Sequence, residues 1–328
     1  MRLSTCPGPR ALLLAAIFAF VAAAPAAASA AAGAAEVASA ARPAPPTSAE
    51  LRAATPPASV GALEDLGAPT RLPGGATQIF PKHRVVSLYG APQMRATVLG
   101  RLSASEAVRR VRYETSRYRT PGRKSAVPAF ELVVTIATAD RGADGLYRSR
   151  QSQATIARYL RAARQAKARL ILDIQPGRSP FTSELRALHR WLREPDVDLA
   201  LDPEWNVGPR GVPGRTDGSV DRRMVNRVSY ELANIVRSYR LPQKLLVVHQ
   251  FRRESVRRRS QIKVRSRVAT TLSFDGIGSA RAKRAGYRSL SAPRLFNGFC
   301  LFYRLDRGLM SPARVLGLDP RPDYVLYQ

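Results

Sequence analysis

Eight short apolar runs, rich in β-branched residues, recur from about residue 80 to the end of the chain and constrain its fold most strongly. Most are separated by segments that carry apolar residues at helical spacing. Alternating strands and helices build a parallel sheet, and eight strands in about 245 residues match the usual size of a (β/α)8 barrel. The predicted strands are Arg84–Tyr89, Phe130–Thr138, Arg169–Ile174, Val197–Leu201, Lys244–His249, Val268–Phe274, Gly298–Tyr303 and Tyr324–Tyr327.

The connections predict helices between the early strands. The predicted helices are Ser103–Arg119, Ser149–Ala168, Phe181–Arg193 and Ser219–Arg240, the last with Ser219 as its N-cap. An open doubly wound sheet is the alternative fold. It usually carries a Gly-rich phosphate loop after the first strand, whereas Gly90-Ala91-Pro92-Gln93 lacks that pattern. The sequence therefore favours a single α/β (TIM-type) barrel.

The N-terminus has the layout of a secretory signal peptide. Arg2 and Arg10 bracket a basic region, an apolar stretch runs from Ala11 to Ala23, and small residues follow at possible cleavage positions. A membrane anchor is the alternative, but the apolar stretch is shorter than the roughly 20 residues of a typical span. We expect a signal peptide over residues 1–30, a disordered Ala/Pro-rich linker over 31–78 and the barrel over 79–328. This organisation predicts a secreted or cell-envelope protein without a stable membrane span in its mature form.

Charge and cysteine content limit the partners. The formal net charge is +29, from 53 Lys and Arg against 24 Asp and Glu. Such a surface favours polyanions, although a GC-rich genome would enrich Arg together with Ala, Gly and Pro. No basic motif with interleaved aromatic residues predicts nucleic-acid binding. Cys6 precedes the apolar stretch, so cleavage would leave only Cys300, which is expected to be a buried small hydrophobic residue. We therefore expect a glycan or an anionic wall polymer as partner.

Polar residues cluster where the predicted strands end. In (β/α)8 barrels the C-terminal ends of the strands build the active site. Period-two alternation places Asp173 with Gln175, Asp202 with Glu204, and Asp275 with Ser273 on inward-facing positions. Converging carboxylates raise at least one pKa and can divide acid and base roles. The other candidate site residues at strand ends are Tyr89, Trp205, His249, Gln250, Tyr303 and Tyr327. For each acid the alternative is a structural role, because strand-end Asp residues also cap helices.

Asp202-Pro203-Glu204 resembles the end of the DxxDxDxE motif of family-eighteen chitinases and related endoglycosidases. That resemblance implies a (β/α)8 barrel with the motif on its fourth strand. It implies Glu204 as general acid and Asp202 as the residue that positions the acetamido group of the substrate. The match covers only these two residues, since the earlier aspartates of the motif fall on Val197 and Ala200.

A wider pattern covers about residues 84 to 328. The segments LDIQPGR, LALDPEW, LPQKLLVVHQF and FDGIG resemble an uncharacterised family of bacterial secreted or lipoprotein-like barrel proteins. That resemblance implies the fold and export, and it implies no established activity.

Three functions remain open from the residues. The first is a glycosidase-like hydrolase with Glu204 and Asp202 as catalytic residues, and with sugar rings stacked on Trp205, Tyr89, Tyr303 and Tyr327. The second is a non-catalytic barrel that binds wall glycan or another polyanion through the basic stretch 251–267, including Arg252, Arg253, Arg257, Arg258 and Arg259. The third is a metal-dependent hydrolase using the strand-end acids and His249. We expect no cofactor and predict no metal ligands.

Overall fold

The chain forms a closed barrel of eight parallel strands in the computed structural model, which describes residues 71–72, 75–119 and 124–328. The first strand pairs with both the second and the last, which closes the sheet. The predicted (β/α)8 barrel is therefore confirmed. The strands are β1 His83–Gly90, β2 Ser125–Ala137, β3 Arg169–Ile174, β4 Val197–Leu201, β5 Lys244–Gln250, β6 Val268–Phe274, β7 Phe296–Leu301 and β8 Tyr324–Tyr327.

Helices follow most of the strands. They are α1 Val98–Arg101, α2 Ala104–Ser116, α3 Gln153–Ala166, α4 Phe181–Ala187, α5 His189–Leu192, α6 Arg222–Ser238, α7 Ala280–Leu290 and α8 Pro312–Leu316. The helix predicted over Phe181–Arg193 is divided at Leu188. The connection from β5 to β6 contains two short 3-10 turns and no α-helix. Within the described part of the chain, no helix is long and apolar enough to cross a membrane.

Serine side chains cap several helices, as local sequence predicts. Ser103 forms a reciprocal capping box with Glu106 at the start of α2. The expectation that Ser219 caps α6 is wrong, because Asp221 accepts the hydrogen bond from the Arg223 amide instead. Residues Val220–Asp221 are extended and pair with Val256–Arg257, so the helix begins only at residue 222.

The segment before β1 covers the N-terminal end of the barrel. The Ile79 and Phe80 amides donate to Oε1 of Gln243 at 3.0 and 3.3 Å, and the Phe80 ring packs against Phe296. Leu72 is also buried in the core, although it falls inside the linker predicted for 31–78. Residues 31–70 and 73–74 of that linker, and the predicted signal peptide over 1–30, lie outside the described residues.

Buried charges at this same end of the barrel are paired. Arg169 on β3 and Asp198 on β4 form a fully buried, two-contact ion pair. Asp198 also accepts from the Leu245 amide at 2.8 Å. Lys244 donates to the backbone carbonyls of Glu194 and Val197 at 2.7 and 2.5 Å, and burial lowers its pKa to about 7 even though Asp198 opposes this. Each of these three buried charged side chains therefore has hydrogen-bond partners, although Nη1 of Arg169 has none among the described residues.

Candidate functional site

The opposite, C-terminal end of the barrel gathers the acids that the sequence predicts. Asp173 is the penultimate residue of β3, Asp202 follows β4, and Asp275 follows β6. A small cavity of about 20 Å³ at the mouth is lined by Tyr89, Asp202, Glu204, His249, Asp275, Phe302 and Gln328. Because the carboxyl ends of parallel strands meet at one rim, residues far apart in sequence converge there.

His249 lies between two carboxylates at the centre of the cluster. Its Nε2 is 2.9 Å from Oε1 of Glu131, and its Nδ1 is 3.4 Å from Oδ2 of Asp275. Burial would lower the pKa of this imidazole, but the two carboxylates outweigh burial and raise it well above the usual value. The ring is thus expected to be charged and to offset part of the negative charge around it.

Glu131 belongs to this cluster, and the sequence analysis did not predict it. It lies on β2, has no exposed surface, and accepts a hydrogen bond from the Tyr324 hydroxyl at 2.5 Å on the oxygen that faces away from His249. A lone carboxylate inside an apolar strand needs a buried hydrogen-bonding partner. The position of Glu131 within the apolar run of β2 could therefore have indicated a buried polar contact. The partner, His249, is 118 residues away, so spacing alone could not reveal it.

Asp173 is fully buried among these groups. Burial, reinforced by the charge of Glu131, raises the pKa of its carboxyl to about 8. The Tyr89 hydroxyl and the Ile174 amide lie near it, but neither carboxylate oxygen has a well-formed hydrogen bond to any described residue. Asp173 is therefore expected to carry a proton at neutral pH.

Asp202 is held by an amide that bridges two neighbours. Gln175 donates to Oδ2 of Asp202 at 3.3 Å and to the Tyr89 hydroxyl at 3.1 Å. Burial raises the pKa of Asp202 well above its usual value. Ionisation of the neighbouring Asp173 or Asp275 would raise this pKa further, and His249 opposes the rise. Gln175 therefore fixes the position of a carboxyl group whose ionised form is disfavoured.

Glu204 is the acid at the opening of the cavity. It lies on a 3-10 turn, Pro203–Trp205, beyond the end of β4, and it is partly exposed whereas Asp173 and Asp202 are buried. Its pKa is raised well above the usual value, first by burial and then by Asp202 and Asp275. The turn is clamped by Gly218, where an added Cβ would lie 2.5 Å from backbone atoms of Pro203 and Asn206.

Four predicted site residues are not brought into the cluster. Gln250 points outward and donates to the Leu290 carbonyl at 2.9 Å, because alternation along β5 turns it away from the side that His249 faces. Tyr327 also points outward: it is fully buried, and its hydroxyl lies 2.9 Å from that of Tyr118. Tyr303 stacks on Tyr327 and donates to Glu114 on α2 at 2.6 Å.

The fourth is Trp205, which is only 1% exposed and therefore presents no open ring face for stacking a sugar. Of the four aromatic residues expected to stack sugars, Tyr89 alone lines the cavity. Cys300 is buried, as expected for a small core residue.

The acids do not form an evident metal centre. Among the described residues, no group of three or more His, Cys, Asp or Glu side chains has an arrangement that could hold a metal ion. The arrangement instead resembles a set of carboxyls that share protons, because burial and the neighbouring acids together raise the pKa of Asp173, Asp202 and Glu204. Such a set suits proton transfer at the cavity opening.

Comparison with known proteins adds little to the geometry. No family model matches the chain, and no curated protein matches it. One similar solved structure is that of an N-terminally His-tagged D-allulose 3-epimerase from Methylomonas sp., with a TM-score of 0.34 and 12% sequence identity over 76% of this chain and 85% of that chain. At this level the likeness carries no argument about activity, so the barrel assignment rests on the strand pairing itself.

Proposed function

We propose that this protein is an exported glycosidase-like hydrolase that cleaves a cell-wall or extracellular glycan at the mouth of its barrel, with Glu204 as general acid. The observation that carries the proposal is the position of Glu204. It is one of two partly exposed acids in the cluster, the other being Asp275, and its pKa is raised by burial and by Asp202 and Asp275. A general acid in glycoside cleavage must hold a proton near neutral pH and must reach the leaving oxygen.

Asp275 is the second carboxylate in this proposal. It lies 3.4 Å from the ring of His249, its side chain is 16% exposed, and it borders the same cavity as Glu204. In this position it would stabilise the positive charge that develops on the sugar ring, or act on the attacking water. Asp202 lies deeper, bonded to Gln175. Its role would be to orient the substrate, as the resemblance to chitinases implies.

The size of the cavity restricts how a substrate would bind. About 20 Å³ is room for roughly one water molecule. A sugar ring would therefore lie across the rim, over Glu204 and Asp275, and would not be enclosed by the barrel. This favours an enzyme that acts within an extended glycan chain, because such a chain needs an open surface on both sides of the cleaved bond.

The test is Glu204→Gln in the purified protein, with Glu231→Gln on the surface of α6 as the matched control. Activity is measured as release of reducing ends from chitin oligomers, peptidoglycan fragments, and neutral and acidic polysaccharides. We expect Glu204→Gln to lower kcat about 100- to 10,000-fold, the usual contribution of a general acid, and the control to match wild type. Wild-type activity should also fall as pH rises through the raised pKa of Glu204.

Two outcomes would overturn the proposal. One is a Glu204→Gln variant that cleaves every glycan as fast as wild type does. The other is a folded wild-type protein that cleaves no glycan of the panel at any pH between 4 and 9.

A further inference from the structure

A second concave site lies on the outside of the barrel, between the β5–β6 connection and the loop that joins α7 to β7. It is a groove of about 570 Å³, within the size range of ligand pockets. Its lining includes the arginines Arg253, Arg258, Arg259 and Arg294, and contains no Asp or Glu. We call this feature the arginine groove.

Most arginines of the basic stretch 251–267 that were expected to bind a polyanion are engaged within the protein. Arg252 pairs with Asp217 at 2.7 Å, Arg258 pairs with Asp221 at 3.1 Å, and Arg257 donates to the Ser219 hydroxyl. These contacts tie the stretch to the loop that precedes α6. In the part of the chain that the structure describes, no carboxylate forms an ion pair with the remaining groove arginines, Arg253, Arg259 and Arg294.

Arg259 is fixed in place beside the groove. It donates to the Ser289 carbonyl at 3.0 Å and to Oε1 of Gln250 at 3.3 Å, and Gln250 is itself anchored on the Leu290 carbonyl. Burial lowers the pKa of Arg259, and the like charge of Arg253 lowers it further. Two cations held near each other without a counter-charge are favourable for binding an oxyanion, which would relieve their repulsion.

Apolar side chains complete the groove. Pro293 is exposed and Leu295 is half-buried at the surface of the groove, and the buried Val256 and Ile262 also line it. Such a surface fits the C–H face of a sugar ring. No aromatic side chain lines the groove, so it lacks the stacking platform typical of single-stranded nucleic-acid sites.

We propose that the arginine groove binds an acidic polysaccharide, with Arg253, Arg259 and Arg294 holding its oxyanion groups and Pro293 and Leu295 contacting the sugar rings. Phosphate and carboxylate groups share this chemistry. The proposal does not depend on catalysis at the barrel mouth, because binding to the groove can be measured on its own.

The test is equilibrium binding of the full chain to three cellodextrins of equal length: unmodified, carboxymethylated and phosphorylated. The groove variant is Arg253→Gln with Arg259→Gln. The control is Arg281→Gln with Arg284→Gln, which removes the same charge from the exposed face of α7. We expect wild type to bind at least one acidic oligomer about tenfold or more tightly than the neutral one, as charge-assisted bonds to two arginines should provide. The acidic oligomer bound more tightly identifies the anionic group.

The groove variant should lose about tenfold in affinity, and the control less than about twofold. Because Arg259 also contacts Ser289 and Gln250, Arg294→Gln is measured as a second variant that leaves these bonds intact, and it should also weaken binding. Equal losses of affinity in the groove variant and the control variant would overturn the proposal, because binding would then depend only on the net charge of the protein. So would equal affinity for the neutral oligomer, absence of binding, or tighter binding of a single-stranded DNA oligomer through the same arginines. Glycan cleavage that persists in the groove variant would leave the proposal for Glu204 unaffected.

Discussion

The two ends of the barrel both bury ionisable side chains, but these are paired at one end and crowded with like groups at the other. At the N-terminal end, Arg169 and Asp198 neutralise each other with no exposed surface. At the C-terminal end, Asp173, Asp202 and Glu131 are buried around one histidine, and acids outnumber the base. The first arrangement holds strands together. The second raises the pKa values of Asp173 and Asp202 close to a solvent opening, at a cost in folding free energy.

The difference predicts which buried ionisable groups stabilise the fold and which destabilise it. A buried pair is strongly destabilising to break, because the remaining group keeps a charge without a partner. A buried acid with a raised pKa already costs folding free energy at neutral pH, because the unfolded chain would ionise it. Substitutions at the two ends should therefore change stability in opposite directions, and this can be measured.

The largest effect is expected from Asp198→Ala, which leaves Arg169 charged and buried. We expect the free energy of unfolding to fall by about 3–5 kcal/mol, measured by urea denaturation at pH 7. Replacing both partners by apolar residues of similar volume should recover most of that loss. If the single substitution costs less than about 1 kcal/mol, the pair is not structural and the comparison fails.

Asp173→Asn should change stability in the opposite direction, and it should do so with pH. The pKa of Asp173 is raised from 3.8 to about 8. Between these values the unfolded chain releases the proton while the folded chain keeps it, so wild type loses unfolding free energy as pH rises through this window. The variant lacks this loss. Its advantage should grow from near zero at pH 4 to a few kcal/mol at pH 8, since one pKa unit is worth about 1.4 kcal/mol. A pH-independent difference would contradict this account.

The smallest effect is expected on the surface beside the buried pair. Arg164 contacts Glu194 at 2.6 Å and Asp196 at 2.8 Å, and its side chain is 48% exposed. Glu194→Gln should change the free energy of unfolding by less than about 1 kcal/mol, because solvent screens exposed ion pairs. The same urea titration that measures Asp198→Ala provides the comparison. An effect as large as that of Asp198→Ala would show that burial is not what separates the two pairs.

Much of the barrel could be predicted because its strands are short apolar runs with clear ends. The observed limits of β3, β4, β6 and β8 agree with the sequence prediction. The prediction for β2 began at Phe130, whereas the strand begins at Ser125 and passes through Pro128, a residue that argues against a strand. β7 was predicted to end at Tyr303 but ends at Leu301, so the apolar run extends two residues beyond the strand.

The candidate site was predictable only where alternation was applied within a strand. It placed Asp173 and Gln175 together correctly, and the same rule excludes Gln250 once His249 faces inward. Glu204 lies on a 3-10 turn after β4, where the alternation of side chains along a strand no longer applies. The pairing of Glu131 with His249 depends on the closure of the barrel, since β2 and β5 are distant in sequence and are not neighbours in the sheet.

Two consecutive residues at the end of β5 belong to the acid cluster and to the surroundings of the arginine groove. His249 faces the acids inside the barrel, and Gln250 faces Arg259 outside it. Because side chains alternate along a strand, a shift of the register by one residue would exchange these sides. An imidazole would then stand beside the arginines, and an amide would stand among the carboxyls. A deletion of one residue between Lys244 and Val248 would thus disable an inner and an outer surface at once, so this short strand must keep its length.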